Sequence, residues 1–93
     1  MADDSLAREL PIINRKGLHA RASAKFVQTV ERYDAEVTVT RNGETVGGRS
    51  IMGLLTLAAA QGTTIRVTAE GPQANEALDG IAALLVNRFG EDE

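Results

Sequence analysis

One imidazole stands out among the side chains that could do chemistry. The chain has a single His, and it lies in Gly17-Leu18-His19-Ala20-Arg21-Ala22-Ser23, where a polar break gives way to an amphipathic run. A ring at or next to a helix N-cap sits beside backbone N–H groups that lack partners within the helix. The helix dipole adds positive potential at that end, so an anion is stabilised there. The same potential disfavours the imidazolium and keeps a ring lone pair free at neutral pH. A neutral imidazole beside those donors could accept a phosphoryl group, and Arg21 could hold the product, because a guanidinium meets phosphate oxygens in bidentate fashion. Gly17 permits a turn sharp enough to present the ring. A plainer alternative stays open on these residues alone: a solvated His, or a weak cap, in a basic turn that is only a wet face.

The charge around this segment is one-sided. Residues 8 to 25 carry Arg8, Arg15, Lys16, Arg21 and Lys25 against Glu9 alone. The net charge of −3 hides this, because Asp3, Asp4, Glu91, Asp92 and Glu93 sit in the tails. Residues 6 to 89 hold ten basic and eight acidic side chains, a body of about +2 on that count. Such a stretch attracts a small anion or an acidic protein surface. The basic residues are too sparse for a DNA footprint, and the pI near 5.1 agrees.

Composition removes other classes. There is no Cys, which excludes disulfides, thiolate metal sites and cysteine nucleophiles, and one His excludes any site that needs two imidazoles. Aromatics are 3% with no Trp, which argues against a base-stacking platform. No apolar run approaches the roughly 20 residues that span a bilayer. The acids of Met1-Ala2-Asp3-Asp4 stand where a secretory signal needs a basic start, so a cytoplasmic location is expected. No acid–base or nucleophile–base pair is evident by spacing, which argues against a hydrolytic enzyme. With 93 residues the expectation is one domain over 1–93, with acidic tails at about 1–5 and 90–93.

The elements that must position the ring follow from periodicity. Leu6 to Asn14 reads as a strand with Leu10 and Ile12 on one face, and Pro11 suits an edge or a bulge. From Ala20 onward, Ala22, Phe26 and Val30 recur at i+4, with Val27 and Tyr33 beside them, as one apolar helix face. Glu36 to Arg41 alternates, and Asn42-Gly43 is a hairpin turn returning through a short edge strand, Glu44 to Val46. Ser50 is placed as the N-cap of a short helix, with Leu54, Leu57, Ala58 and Ala59 supplying a buried face. Thr63 to Glu70 is another alternating strand. Gly71-Pro72 opens a final helix whose stripe is Ala74, Leu78, Ile81, Leu85 and Phe89, with Gly90 as its stop. The order β-α-β-β-α-β-α predicts an α+β open-faced β-sandwich: a four-stranded, largely antiparallel sheet covered on one face by three helices.

Two motifs in this chain point further. Gly17-Leu18-His19-Ala20-Arg21, with Gly48-Arg49-Ser50-Ile51-Met52-Gly53-Leu54-Leu55-Thr56-Leu57 some thirty residues later, resembles HPr. HPr is the histidine-containing phosphocarrier of the bacterial phosphoenolpyruvate-dependent phosphotransferase system, a family with nitrogen-related variants. The likeness extends to Ala69-Glu70-Gly71-Pro72 and Glu76-Ala77-Leu78, covering nearly the whole chain. The resemblance implies that His19 is phosphorylated at Nδ1 and that Arg21 contacts the phosphoryl group and the partner proteins. It implies that the amides of Ala20 and Arg21 donate to the phosphate, and that Ser50 is the serine a dedicated HPr kinase/phosphorylase modifies. Ile51, Met52 and Leu55 resemble the apolar patch that docks on enzyme I and on IIA proteins.

The family would make this a carrier rather than an enzyme, receiving its group from enzyme I and passing it to a histidine of a IIA protein. It implies no cofactor, no metal, no nucleic acid, no membrane insertion and a monomer. A regulatory phosphoprotein of the nitrogen-related branch, which carries no sugar, would share His19. A small binding domain with an inert His19 is the other alternative. The chain departs from the family in having Ala22 where Pro is common, and Arg49 where Lys often precedes the serine. Ala22 is a good helix former and Arg49 keeps the charge. Ser50 could equally be a cap alone, and Met52 and Leu55 could be core, although exposure is favoured.

Overall fold

The computed structural model describes residues 6–92; Asp3, Asp4 and Glu93 therefore lie outside the described residues. The strands are β1 (Leu6–Pro11), β2 (Glu36–Arg41), β3 (Glu44–Gly47) and β4 (Thr64–Glu70). They form one sheet in the order β1-β4-β2-β3, and every pairing is antiparallel. Period-2 alternation decides the faces. Val37 and Val39 of β2 and Ile65, Val67 and Ala69 of β4 are buried, while Glu36, Thr64, Arg66 and Glu70 point to the open side. Helices α1 (Ala20–Val30), α2 (Ile51–Thr56) and α3 (Ala74–Val86) contribute Phe26, Leu54, Leu78, Ile81 and Leu85 to the core against that apolar face. The open-faced α+β sandwich expected from the sequence is the observed fold.

The local signals act as their chemistry requires. Asn42 and Gly43 take φ of 52° and 80° in the β2–β3 turn, the positive pair that a tight hairpin demands. Pro11 ends β1, an edge strand, where its missing N–H breaks no interior ladder. Ser50 caps α2, its Oγ accepting from the Gly53 N–H at 2.9 Å.

Strands β3 and β4 each differ from expectation by one residue, at Gly47 and Thr63, and three larger differences bear on the site. The first strand stops at Pro11 rather than Asn14. Pairing persists for one residue, through Ile12 N–H to Thr63 at 2.8 Å, before Asn14 closes a turn. Its carbonyl accepts from Gly17 N–H at 3.2 Å, and its buried side chain donates to the Gly17 carbonyl at 2.8 Å. Those bonds start the loop that carries His19. Second, Ala58 is exposed rather than buried; at φ 51° it lies in the turn after α2, off the helix face that buries Leu54.

The third difference is at the end of the chain. Helix α3 ends at Val86 with Asn87 as its C-cap, so Phe89 is outside the helix and Gly90 is not its stop. Arg88, Phe89 and Gly90 instead take φ of 52°, 54° and 77° in a left-handed turn. Such a conformation costs about 1–2 kcal/mol for each non-glycine residue. Burying a Phe side chain returns about 2–3 kcal/mol, and Phe89 is only 1% exposed. The Lys25 ammonium adds a hydrogen bond to the Phe89 carbonyl at 2.6 Å. The turn therefore clips residues 90–92 against α1.

Candidate functional site

The site begins with the loop that delivers His19. Gly17, at φ 68°, lies so close to the α2–β4 connection that a Cβ there would stand 2.5 Å from the Ala59 carbonyl oxygen. Only glycine allows that approach. The next residue, Leu18, donates its N–H to the same Ala59 oxygen at 2.9 Å and buries its side chain. The backbone on the N-terminal side of His19 is thus fixed against the protein body.

His19 is the N-cap of α1, with extended backbone (φ −75°, ψ −176°). Its carbonyl accepts the first helical bond, from Ser23 N–H at 2.8 Å. The Arg21 backbone N–H donates to Nδ1 at 3.3 Å, so an orphan donor of the first turn is turned onto the ring itself. On the other side of the ring, Nε2 is 2.6 Å from Glu91 Oε2. An ionised carboxylate only accepts, and a backbone amide only donates. These two contacts assign the tautomer: the hydrogen is on Nε2, and Nδ1 holds the lone pair. The ring is about a quarter exposed and Glu91 rather less.

Glu91 is held at both oxygens. Its second oxygen, Oε1, accepts from Asn14 Nδ2 at 3.1 Å. Burial works against ionising this carboxyl. The hydrogen bonds from His19 and Asn14, with the charge of Lys16, outweigh burial and hold it below its ordinary value. The group is a carboxylate at neutral pH.

Around the ring lies an open depression of about 720 Å³. Arg15, Lys16, Arg21 and Lys25 supply its cations, and Glu91 and Asp92 its anions. A shallower groove of about 280 Å³ runs from His19 and Lys16 to Leu55, past Leu18 and Ala58 to Ala60. His19, Ala20, Arg21 and Leu55 are thus brought to one region. Ser50, Ile51 and Met52 line neither cavity. Met52 is 73% exposed and Ile51 39%, while Leu55 is half-buried and shared with the groove. Among the described residues no cluster of three or more His, Asp or Glu could hold a metal, and no helix is long and apolar enough to cross a membrane.

The arrangement places a ring nitrogen at a helix start in an open bowl lined by four cations and two carboxylates, rather than in a closed binding pocket. Residues 6–87 match the family model described as "PTS HPr component phosphorylation site". The chain belongs to the HPr phosphocarrier family of the phosphotransferase system. Phosphocarrier protein HPr of Cupriavidus necator is 48% identical over 95% of this chain and 99% of its own. That of Pseudomonas aeruginosa is 50% identical over 94% of this chain and 98% of its own. Among solved structures, HPr from Thermoanaerobacter tengcongensis superposes with a TM-score of 0.90 at 34% identity, covering 95% of this chain and 99% of that one. The HPr resemblance read from the two motifs therefore stands, as does the fold.

Sequence reasoning missed Glu91 and Asn14. Glu91 is 72 residues from His19, and no local spacing reports such a pair. No acid–base pair is evident by spacing, and the fold alone brings this imidazole and carboxylate together. The available signal was Phe89-Gly90 just before Glu91: an apolar anchor and a flexible residue, able to fold the tail back against the body.

Proposed function

We propose that this HPr-family chain receives a phosphoryl group on His19 Nδ1 from phosphorylated enzyme I and delivers it to a histidine of a IIA protein. The observation that carries the reading is the unprotonated Nδ1 at the head of α1, held by the Arg21 N–H on a ring that lines a cationic bowl open to solvent. Nδ1 attacks phosphorus in line as the donor's bond to phosphorus breaks. The Ala20 and Arg21 amides and the Arg21 guanidinium receive the phosphate oxygens, with the helix dipole adding to their potential. The bowl's openness suits a carrier. A group enclosed by many donors would be held too tightly to leave, whereas one guanidinium and a helix start give mild stabilisation. The chain acts as a relay intermediate, turning over no small molecule by itself, as a cytoplasmic monomer.

Partners approach through α2. Ile51 and Met52 expose apolar surface, and Leu55 continues it along the groove to His19. Enzyme I and the IIA protein use this surface in turn. Ser50 stands at the start of the same helix, with its Oγ accepting from Gly53. Modification there by an HPr kinase/phosphorylase would set about two negative charges beside the docking surface and repel an acidic partner.

The test is intact-mass spectrometry after incubation with phosphoenolpyruvate and active enzyme I. The wild type gains one acid-labile phosphate, and His19→Ala gains none. Equal gain in both, or none in the wild type, removes the reading. Which IIA protein accepts the group then separates a sugar-carrying role from the nitrogen-related branch.

A further inference from the structure

A carboxylate 2.6 Å from the nitrogen that does not react is more than a tail charge. We infer that Glu91 is a positioning residue for phosphoryl transfer: it fixes the hydrogen of His19 on Nε2 and orients the ring so that Nδ1 faces the donor. This inference rests on the carrier reading above and assigns one of its working parts.

The construction around Glu91 is specific. Its backbone follows a left-handed turn containing Arg88 and Phe89, which bulky side chains rarely adopt. That conformation persists because Phe89 is buried and Lys25 donates to its carbonyl. Asn14 Nδ2 spends one hydrogen on the Gly17 carbonyl and the other on Glu91 Oε1. The same amide thereby ties the carboxylate to the loop that sets the His19 backbone. The backbone turn and Asn14 together hold the carboxylate, which meets His19 Nε2 with its other oxygen.

The chemistry profits in both directions of transfer. As the Nδ1 lone pair bonds to phosphorus, the donor's bond to phosphorus breaks and its electron pair stays with the donor. The ring gains positive charge, and its Nε2–H remains on the nitrogen, stabilised by Glu91. When an acceptor attacks, the N–P bond breaks and its pair returns to Nδ1. No proton has to enter or leave the ring in either step. A carboxylate that orients and stabilises an imidazole without taking its proton plays the same part in serine hydrolases.

Glu91→Gln shows why the charge and both oxygens matter. An amide offers one oxygen, and two donors need an acceptor. If the oxygen serves His19, Asn14 meets an NH2 group. If it serves Asn14, the NH2 faces Nε2 and forces the hydrogen onto Nδ1, against the Arg21 N–H.

The test combines proton and nitrogen NMR of the unphosphorylated protein with single-turnover kinetics. The chain has one His, so its ring resonances are unambiguous. In the wild type we expect one downfield imidazole proton, coupled to Nε2 and slow to exchange with water. Glu91→Ala loses that signal while keeping a folded amide spectrum. Transfer from saturating phosphorylated enzyme I falls about tenfold to a hundredfold, the usual scale for losing a group that orients a reacting one, with KM little changed. Glu91→Gln falls between. A wild type with no protected Nε2 proton, or Glu91→Ala transferring at the wild-type rate, overturns the inference. A wild type that takes up no phosphate overturns the carrier reading instead, so the two failures are distinguishable.

Discussion

Replacing Gly17 by Ala tests whether the loop before His19 is fixed by backbone contact. Gly17 lies at φ 68°, and an added Cβ would stand 2.5 Å from the Ala59 oxygen and 2.9 Å from the Ala60 Cα. The left-handed conformation costs an alanine about 1 kcal/mol or somewhat more. Both close neighbours are backbone, so the contact is relieved only by shifting the chain, and overpacking of this kind costs about 1–3 kcal/mol. The displaced oxygen is also the acceptor for Leu18 N–H, and a lost hydrogen bond adds about 1 kcal/mol. We expect a total near 3–5 kcal/mol. Gly43→Ala is the control: its φ is 80°, yet no atom lies within 4 Å of the added Cβ. It should lose only the conformational part, about 1 kcal/mol. Urea unfolding measures both, and with a slope of about 1 kcal/mol/M the midpoints should separate by about 2–4 M. Equal losses at the two positions would refute the close approach and, with it, the account of how His19 is presented.

The other expectations concern the site and its anchors. Phe89→Ala empties a buried position and should destabilise by about 3–5 kcal/mol in urea unfolding, and it should also release the Nε2 proton of His19 to fast exchange. Arg21→Ala has an exposed side chain, so its unfolding midpoint should stay within about 0.5 kcal/mol of wild type while phosphoryl transfer from enzyme I slows about tenfold or more. Glu91 titrates below its ordinary value in the fold, so its contribution to stability is complete above the ordinary carboxylate range and is lost as pH falls through the lowered value. Unfolding measured from pH 7 downward should therefore lose stability more steeply in wild type than in Glu91→Gln. Ser50→Ala should cost about 1 kcal/mol through the lost cap, whereas Ser50→Asp should keep the cap and weaken binding to enzyme I.

Much of the molecule was legible because local chemistry agreed with the final packing. The β2–β3 hairpin follows from Val37 and Val39 alternating into Asn42-Gly43, and α1 from the i+4 series ending at Val30. The Ser50 cap and the exposed Met52 followed from position and type. The errors arose where a distant contact overrode a local pattern. Leu85 to Phe89 continues a helical repeat, yet the chain leaves the helix because Phe89 finds its burial in a left-handed turn braced by Lys25. Ile12 to Asn14 continues an alternating strand, yet Asn14 is drawn into the turn with Gly17. Both exceptions converge on His19, since Asn14 and the Phe89 turn hold Glu91. His19 was visible in the sequence; the carboxylate that contacts it lay 72 residues away.

The most direct measurement is phosphorus–nitrogen correlation NMR on the protein after phosphorylation by enzyme I. The account predicts a single phosphoramidate resonance coupled to His19 Nδ1, lost on addition of an acceptor IIA protein. Coupling to Nε2, or a phosphate borne by any other residue, would contradict it.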